Sequence, residues 1–413
     1  MRLACGMGIS VLLFLGLLHV PHASAQKRTM RKRRTLIAES GPSQENIWDL
    51  GLVETSVTAG VIMEKANTYF EPTAAVKRFQ GAVLGYVTPW NHKGAEYAVR
   101  FRAKLTHVSP VWYQLRRVNK KGQGKVWSLE GGHEFNKTWV DALREPAGEA
   151  GSVTRVVPRV IVEVDTPQDH LDLVREPEEA IRLIVAEMEL RKYDGLVLEV
   201  WMAWWSINGL SNKDFTDAAC SMVKQLSQAL QGMQPPRQLI MAVPPPIPSG
   251  YSRPSIDKAH LRRLSPFVSH WSLMTYDHSI GHGPQANAPM PWLLRQTQLL
   301  LDGDDGPACV NGSQAMMGLA FYGYDYKLNE QASPEAVVAD TLLSILGKQQ
   351  PALLWDKEQQ EHHFDYKGMD GEHRVFCPTP RSLEVRLELF QKLGLSVSIW
   401  ELGQGMQRLF DLL

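Results

Sequence analysis

The sequence predicts an α/β chain folded as a closed TIM-type (β/α)8 barrel, with a small α+β insertion between strands seven and eight and an N-terminal arm. Two observations carry this prediction. Eight short, β-branched runs appear from residue 82 onward, and longer helix-compatible segments separate them. Strands that alternate with helices pair in parallel through right-handed crossovers, and eight such units close a barrel within about 250 residues before insertions. A third observation counts against a doubly wound open sheet: no glycine-rich phosphate loop follows any of the runs.

In order, the runs are A-V-L-G-Y-V-T near 82, L-T-H-V-S-P-V-W near 105, R-V-V-P-R-V-I-V near 155 and Y-D-G-L-V-L-E-V near 193. Then follow L-I-M-A-V-P near 239, V-S-H-W-S-L-M-T-Y near 268, A-M-M-G-L-A-F-Y near 315 and L-S-V-S-I-W near 395. Between them, E-E-A-I-R-L-I-V-A-E-M-E-L and D-A-A-C-S-M-V-K-Q-L-S-Q-A-L place apolar residues at three-four spacing, the mark of amphipathic helices. The gap from 325 to 394 holds P-A-L-L-W-D, H-H-F-D-Y-K and H-R-V-F-C-P around a G-M-D-G turn, which predicts short antiparallel strands over the barrel mouth. Residues 26 to 81 show no sustained period and are expected to form a basic segment and an arm, with the barrel spanning 82 to 413.

Acidic and basic residues balance at 44 each, which favours neither nucleic acid nor an acidic membrane surface. Arg2, the apolar run Ile9 to Leu18 and the small residues Ala23-Ser24-Ala25 read as a signal peptide over 1–25, too short to span a bilayer. No later stretch is long and apolar enough for an integral membrane segment, so the expectation is a soluble, lumenal or extracellular protein. The basic run K-R-T-M-R-K-R-R at 27–34 is read as a solvated tail, a processing site after Arg34, or a patch for anionic glycans. Cys5 leaves with the leader, and Cys220, Cys309 and Cys377 remain, an odd number. A Cys309–Cys377 bridge is permitted by compartment but not indicated by spacing. Asn136 and Asn311 head glycosylation sequons.

Ligand groups of such barrels collect at the carboxyl ends of the strands. Here these ends carry Tyr86, Trp90, Trp112, Trp201, Tyr276-Asp277, Tyr322, Tyr324 and Trp400-Glu401. Aromatic faces suit the C–H faces of sugars, while a few carboxylates orient their hydroxyls. One such ring at a strand end is more often core packing than ligand surface. Several around one mouth favour the ligand surface.

The ordered set G-Y-V-T-P-W, Y-D-G-L-V-L-E-V-W, L-M-T-Y-D, G-L-A-F-Y-G and S-I-W-E-L-G-Q-G resembles glycoside hydrolase family 18, the chitinases and their lectin relatives. Within the family the likeness is greatest to its stabilin-interacting, chitinase-like members. The resemblance implies a barrel with an oligosaccharide cleft, secretion or a lysosomal or late-endosomal location, and no cofactor. It also implies an oligosaccharide or glycolipid ligand such as lipopolysaccharide, with the scavenger receptor stabilin as a partner. It casts Trp400 as the aromatic floor, Tyr276 and Asp277 as the pair holding an N-acetyl group, and Met274 as the apolar wall.

Departures from the family pattern are equally plain. Strand three carries R-V-I-V-E where S-x-G-G is expected, so bulk is predicted in the cleft. On strand four, the three acids of D-G-x-D-x-D-x-E become Val197, Glu199 and Trp201. Positions two apart share a strand face, so these three are expected in one inward column with Trp201 outermost, at the acid's place. Indole cannot deliver a proton near neutral pH. Glu199 starts about 6.6 Å deeper at about 3.3 Å per residue and does not reach. Either it contacts ligand or it is an interior carboxylate satisfied by its neighbours.

The ligand-binding set expected from sequence is therefore Trp90, Trp112, Glu199, Trp201, Met274, Tyr276, Asp277, Tyr322, Trp400 and Glu401, with no catalytic residue and no metal site. The function expected is a non-hydrolytic, chitinase-like lectin. Two rivals stand beside it: a hydrolase on another glycan using Asp277 or Glu401 with Glu199, and a receptor-binding scaffold with a vestigial cleft.

Overall fold

The structure, a computed structural model, describes residues 40–413 except 123, 149–150, 249–253, 303–307 and 330–332. The expected leader and basic segment lie outside the described residues.

Eight parallel strands form the barrel: β1 (Val83–Val87), β2 (His107–Pro110), β3 (split into Arg155–Val156 and Arg159–Val162), β4 (Gly195–Glu199), β5 (Gln238–Val243), β6 (His270–Leu273), β7 (Ala315–Ala320) and β8 (Ser396–Trp400). β8 pairs with β1, β1 with β2, and β4 through β8 pair in sequence. The ring closes through β3, whose first part pairs with β2 (Val108↔Val156) and whose second part pairs with β4 (Arg159↔Val197). Pro158 lies at the change of partner; it has no N–H to give, but its carbonyl accepts from Val197 N at 2.9 Å.

Side-chain alternation divides each strand between two cores. Leu84, Tyr86, Val157, Val197, Ile240 and Met316 fill the barrel interior, while the alternate residues join the larger core under the surrounding helices. At the amino-terminal end of the barrel His107 is sealed, with Nε2 2.9 Å from Gln238 Oε1, Nδ1 2.8 Å from Thr106 Oγ1, and the His270 ring 5.2 Å away.

The insertion is a five-stranded antiparallel sheet, ordered Glu335–Val337, Gly323–Lys327, Glu372–Cys377, Glu361–Lys367 and Leu354–Asp356. Its second strand continues directly from β7. Gly323 permits this continuation, because a Cβ there would sit 2.1 Å from the Phe376 carbonyl oxygen. Helix Pro380–Lys392, opened by a Thr379–Ser382 capping box, returns the chain to β8.

Two segments carry structure the sequence reading did not assign. In the arm, Ser40–Ser43 pairs with Asn67–Phe70, and helix Ala59–Lys65 is capped by Thr58. The arm is fastened to the carboxyl terminus, where buried Arg408 donates to the Glu45 carbonyl at 2.9 Å and Asp411 accepts from Phe70 N at 3.0 Å. After β2 an unforeseen hairpin, Tyr113–Lys120 with Gly124–Glu130, runs beside the second part of β3. Its charged alternation, Q-L-R-R-V-N-K-K, leaves too few apolar positions to announce a strand.

Candidate functional site

Trp400 ends β8 half-buried at the mouth, its ring 5.3 Å from that of Tyr86. The Tyr86 hydroxyl lies 2.8 Å from Ser272 Oγ, which donates to Ser398 Oγ at 3.1 Å, so the wall beneath the indole is fixed from three strands. Beyond β6 the chain turns sharply. Asp277 adopts φ +63°, and its N–H is held by Asn287 Oδ1 at 2.6 Å. Its carboxylate accepts hydrogen bonds from the Tyr322 and Tyr324 hydroxyls, the latter at 2.7 Å. Burial lifts the Asp277 carboxyl above its usual range, and the two phenols pull it back. Tyr276 packs edge-on against Tyr322 at 6.5 Å, and Met274 is half-buried on the same segment. Tyr276, Asp277 and Tyr322 thus converge as the sequence led one to expect, and Trp400 stands at the end of the next strand.

Glu199 faces the mouth as well, but it is not alone. Arg159 on β3 donates its Nε to Glu199 Oε2, and its guanidinium carbon lies 5.9 Å from the centroid of the Trp400 ring. Their side chains are only 13% and 20% exposed, so the pair is held inside the mouth rather than on a solvated rim. Arg159 was missed as a site residue. The signal lay in R-V-I-V-E, where Val160 and Val162 go to the outer core and Arg159 must therefore face inward.

Four expected residues sit elsewhere. Trp201 does not extend the Val197–Glu199 column. At Val200 (φ −146°, ψ −23°) the backbone leaves the strand, and helix Trp201–Ser206 begins. Trp201 is 0% exposed in the outer core, 6.0 Å from the Trp204 ring and 5.3 Å from His260, and its Nε1 donates to the Ser255 carbonyl at 3.0 Å. Trp112 is likewise a packing residue, buried against Phe135 and Trp139, which follow the unforeseen hairpin. Glu401 is fully buried and turned away from the mouth, accepting from Asn91 Nδ2 at 2.6 Å and Gly403 N at 3.1 Å. Trp90 is 63% exposed on the turn after β1, apart from the aromatic cluster.

Asp194 ties β3 to β4, accepting from Val156 N at 2.8 Å and from Arg144 at 2.9 Å. Asn136 and Asn311 are both exposed, and each caps a helical turn with its side-chain oxygen. Cys220, Cys309 and Cys377 are buried free thiols, so no Cys309–Cys377 bridge forms. Among the described residues no group of three or more His, Cys, Asp or Glu side chains could hold a metal ion, and no helix is long and apolar enough to cross a membrane.

What this mouth offers is an aromatic floor, an aromatic wall, a tyrosine-held carboxylate and a paired arginine. Comparison with known proteins agrees with the architecture. A chitinase from Chromobacterium violaceum superposes with a TM-score of 0.63 at 16% identity, covering 80% of this chain and 98% of that one. The spore cortex-lytic enzyme of Bacillus cereus gives 0.59 at 16%, over 80% and 73%. A mutant chitinase from Cycas revoluta, solved in complex with (GlcNAc)4, gives 0.58 at 10%, over 80% and 97%. At these identities the likeness shows a shared fold. The family model for glycosyl hydrolases family 18 matches residues 83–405, from the first barrel strand to just past the last, and the chain belongs to that family.

Proposed function

We propose that this protein is a secreted, non-hydrolytic glycan-binding member of its family, taking N-acetylglucosamine oligomers or related headgroups at the Trp400 mouth. The observation that carries the reading is the fate of the mouth carboxylates. Hydrolysis in this family needs a proton donor at the leaving oxygen, because the substrate's own acetamide supplies the nucleophile. The position of that donor is Trp201, buried outside the barrel. Glu199 is occupied by Arg159, and Glu401 is sealed against Asn91. The leader and two exposed sequons support a secretory route ending outside the cell or in lysosomes. Lipopolysaccharide recognition, endotoxin neutralisation and attachment to stabilin are finer proposals of the same reading. They rest on likeness to the stabilin-interacting members.

The test is a glycan array followed by product analysis on each bound glycan. Saturable binding with unchanged glycan supports the reading. New reducing ends that scale with protein concentration through stringent purification would sink it. One observation favours a second reading, an active hydrolase. Burial raises the Asp277 carboxyl, as a proton donor requires, although two phenol hydrogen bonds oppose the rise. Turnover lost in Asp277→Asn would select that alternative.

A further inference from the structure

We propose that Arg159 is the specificity-determining residue of this mouth: it bars the cleft, so that only the end of a neutral oligosaccharide enters and a continuous glycan chain cannot cross Trp400. The inference rests on the glycan-binding reading and deepens it by stating which part of the glycan is recognised.

β3 and β8 are separated in the ring by β1 and β2, so they stand on well-separated sides of the barrel. Yet the Arg159 guanidinium carbon reaches within 5.9 Å of the Trp400 ring centroid. The side chain therefore runs across the mouth rather than along its wall. Glu199, on the neighbouring strand β4, grips Nε and fixes that course.

A sugar stacked on the indole needs about 3.5 to 4 Å to the ring below it, and as much again to any group above. The 5.9 Å between guanidinium and ring cannot hold one. The sugar must lie beside Arg159 on the remaining indole face, and a chain continuing past it meets the bar. Among the described residues only Nε of Arg159 has an acceptor, so the two Nη nitrogens are left to hold hydroxyl or acetamide oxygens of the terminal sugar. Glu199 already neutralises the guanidinium. A charged sugar would therefore find no free counter-charge on Arg159, which favours neutral sugars, the uncharged outer sugars of a lipopolysaccharide among them.

The experiment is titration calorimetry on the full chain. The probes are N-acetylglucosamine oligomers of increasing length with free ends, and a hexamer carrying a bulky group at each end. Affinity should stop rising after the first few sugars, and the doubly capped hexamer should bind at least about tenfold more weakly than the free one. In Arg159→Ala/Glu199→Ala, which leaves no orphan charge, that gap should shrink to within about threefold. Equal binding of capped and free hexamer by the natural protein would overturn the inference while leaving glycan binding intact. A gap that persists in the folded double variant would do the same. If no oligomer binds the natural protein, the glycan reading falls and this inference with it. Should the double variant fail to fold, the capped-versus-free comparison on the natural protein decides alone.

Discussion

Trp201 and Ser255 are joined by a hydrogen bond, indole Nε1 to backbone carbonyl, at 3.0 Å in the core outside the barrel. The bond ties the helix after β4 to the segment after β5. On the proposed reading, the position corresponding to the family's acid is a structural strut, not a mouth residue of altered chemistry. Replacing an acid there would meet neither a cleft nor a substrate.

Trp201→Glu is accordingly expected to yield no chitinase. It should also lower stability by about 3 to 5 kcal/mol, the usual cost of truncating a large buried aromatic, with the burial of a carboxyl added. Adding Val197→Asp and Glu199→Asp should not rescue activity, since the introduced acid would still lie outside the mouth. Chemical denaturation and a chromogenic chito-oligosaccharide assay on the same samples check both halves. Brisk turnover by a folded single variant would show that the chain after β4 swings into the barrel, against this account.

Trp400→Ala should weaken oligosaccharide binding by about 1 to 3 kcal/mol, the loss expected for a central aromatic anchor. The ring also braces Tyr86, so affinity must be compared on protein shown to be folded by circular dichroism. Unchanged affinity would move the glycan site away from the barrel mouth.

How far the sequence could be read depended on how regular each segment is. The eight strands were legible because β-branched runs recur between helical patterns, and the aromatic cluster because its members cap consecutive strands. Trp201 was misplaced because period-two reasoning assumes that the strand continues. Nothing in E-V-W-M-A-W-W announces that Val200 leaves the extended region, and apolar runs of this length are ambiguous between strand and helix. Trp112 was misplaced because the packing of Phe135 and Trp139, which follow the unforeseen hairpin, against it was not foreseen. Glu401 directly follows the floor residue in sequence, yet the strand ends at Trp400, and beyond it the chain turns Glu401 toward Asn91 and Gly403. Arg159 escaped notice because the strand was judged by the bulk it adds rather than by which face each residue occupies.

His107 should make the barrel acid-sensitive. Burial, followed by its neighbour His270, depresses its imidazole to about 3. The ordinary value in an unfolded chain is about 6.5. A depressed histidine is neutral when folded while the unfolded chain gains a proton. Its contribution is thus complete above about pH 6.5 and lost as pH falls toward 3. In His107→Gln, the stability gap to the natural protein should narrow by about 2 to 3 kcal/mol between pH 7.5 and pH 4.5, since one proton is worth about 1.4 kcal/mol for each pH unit crossed. Guanidinium unfolding at both pH values measures it. A gap independent of pH would mean that His107 is hydrated or already charged in the folded state.

Glu401 should act in the opposite direction. Burial lifts its carboxyl to about 7, only partly opposed by the Gly403 N–H and the Asn91 amide. In the unfolded chain it titrates near 4.3. A raised carboxyl means that the folded protein binds a proton the unfolded chain has released. Its contribution is complete below about pH 4.3 and is lost as pH rises through about 7. Glu401→Gln keeps one acceptor oxygen, enough for Asn91 or Gly403 but not both, since these donors meet separate carboxylate oxygens. That loss does not change with pH, and with no charge to bury the variant should gain on the natural protein as pH rises from 5 to 8. The gain should amount to about 1 to 3 kcal/mol, again at roughly 1.4 kcal/mol for each pH unit over which folded and unfolded chains differ by one proton. Leu402, the next residue but one after Trp400, donates its N–H to the Tyr86 carbonyl at 3.1 Å, so this cost is borne beside the barrel mouth. Glycan affinity of the natural protein measured over the same pH range shows whether it reaches the floor. A flat stability difference from pH 5 to 8 would mean that Glu401 is ionised throughout and that its two donors outweigh burial.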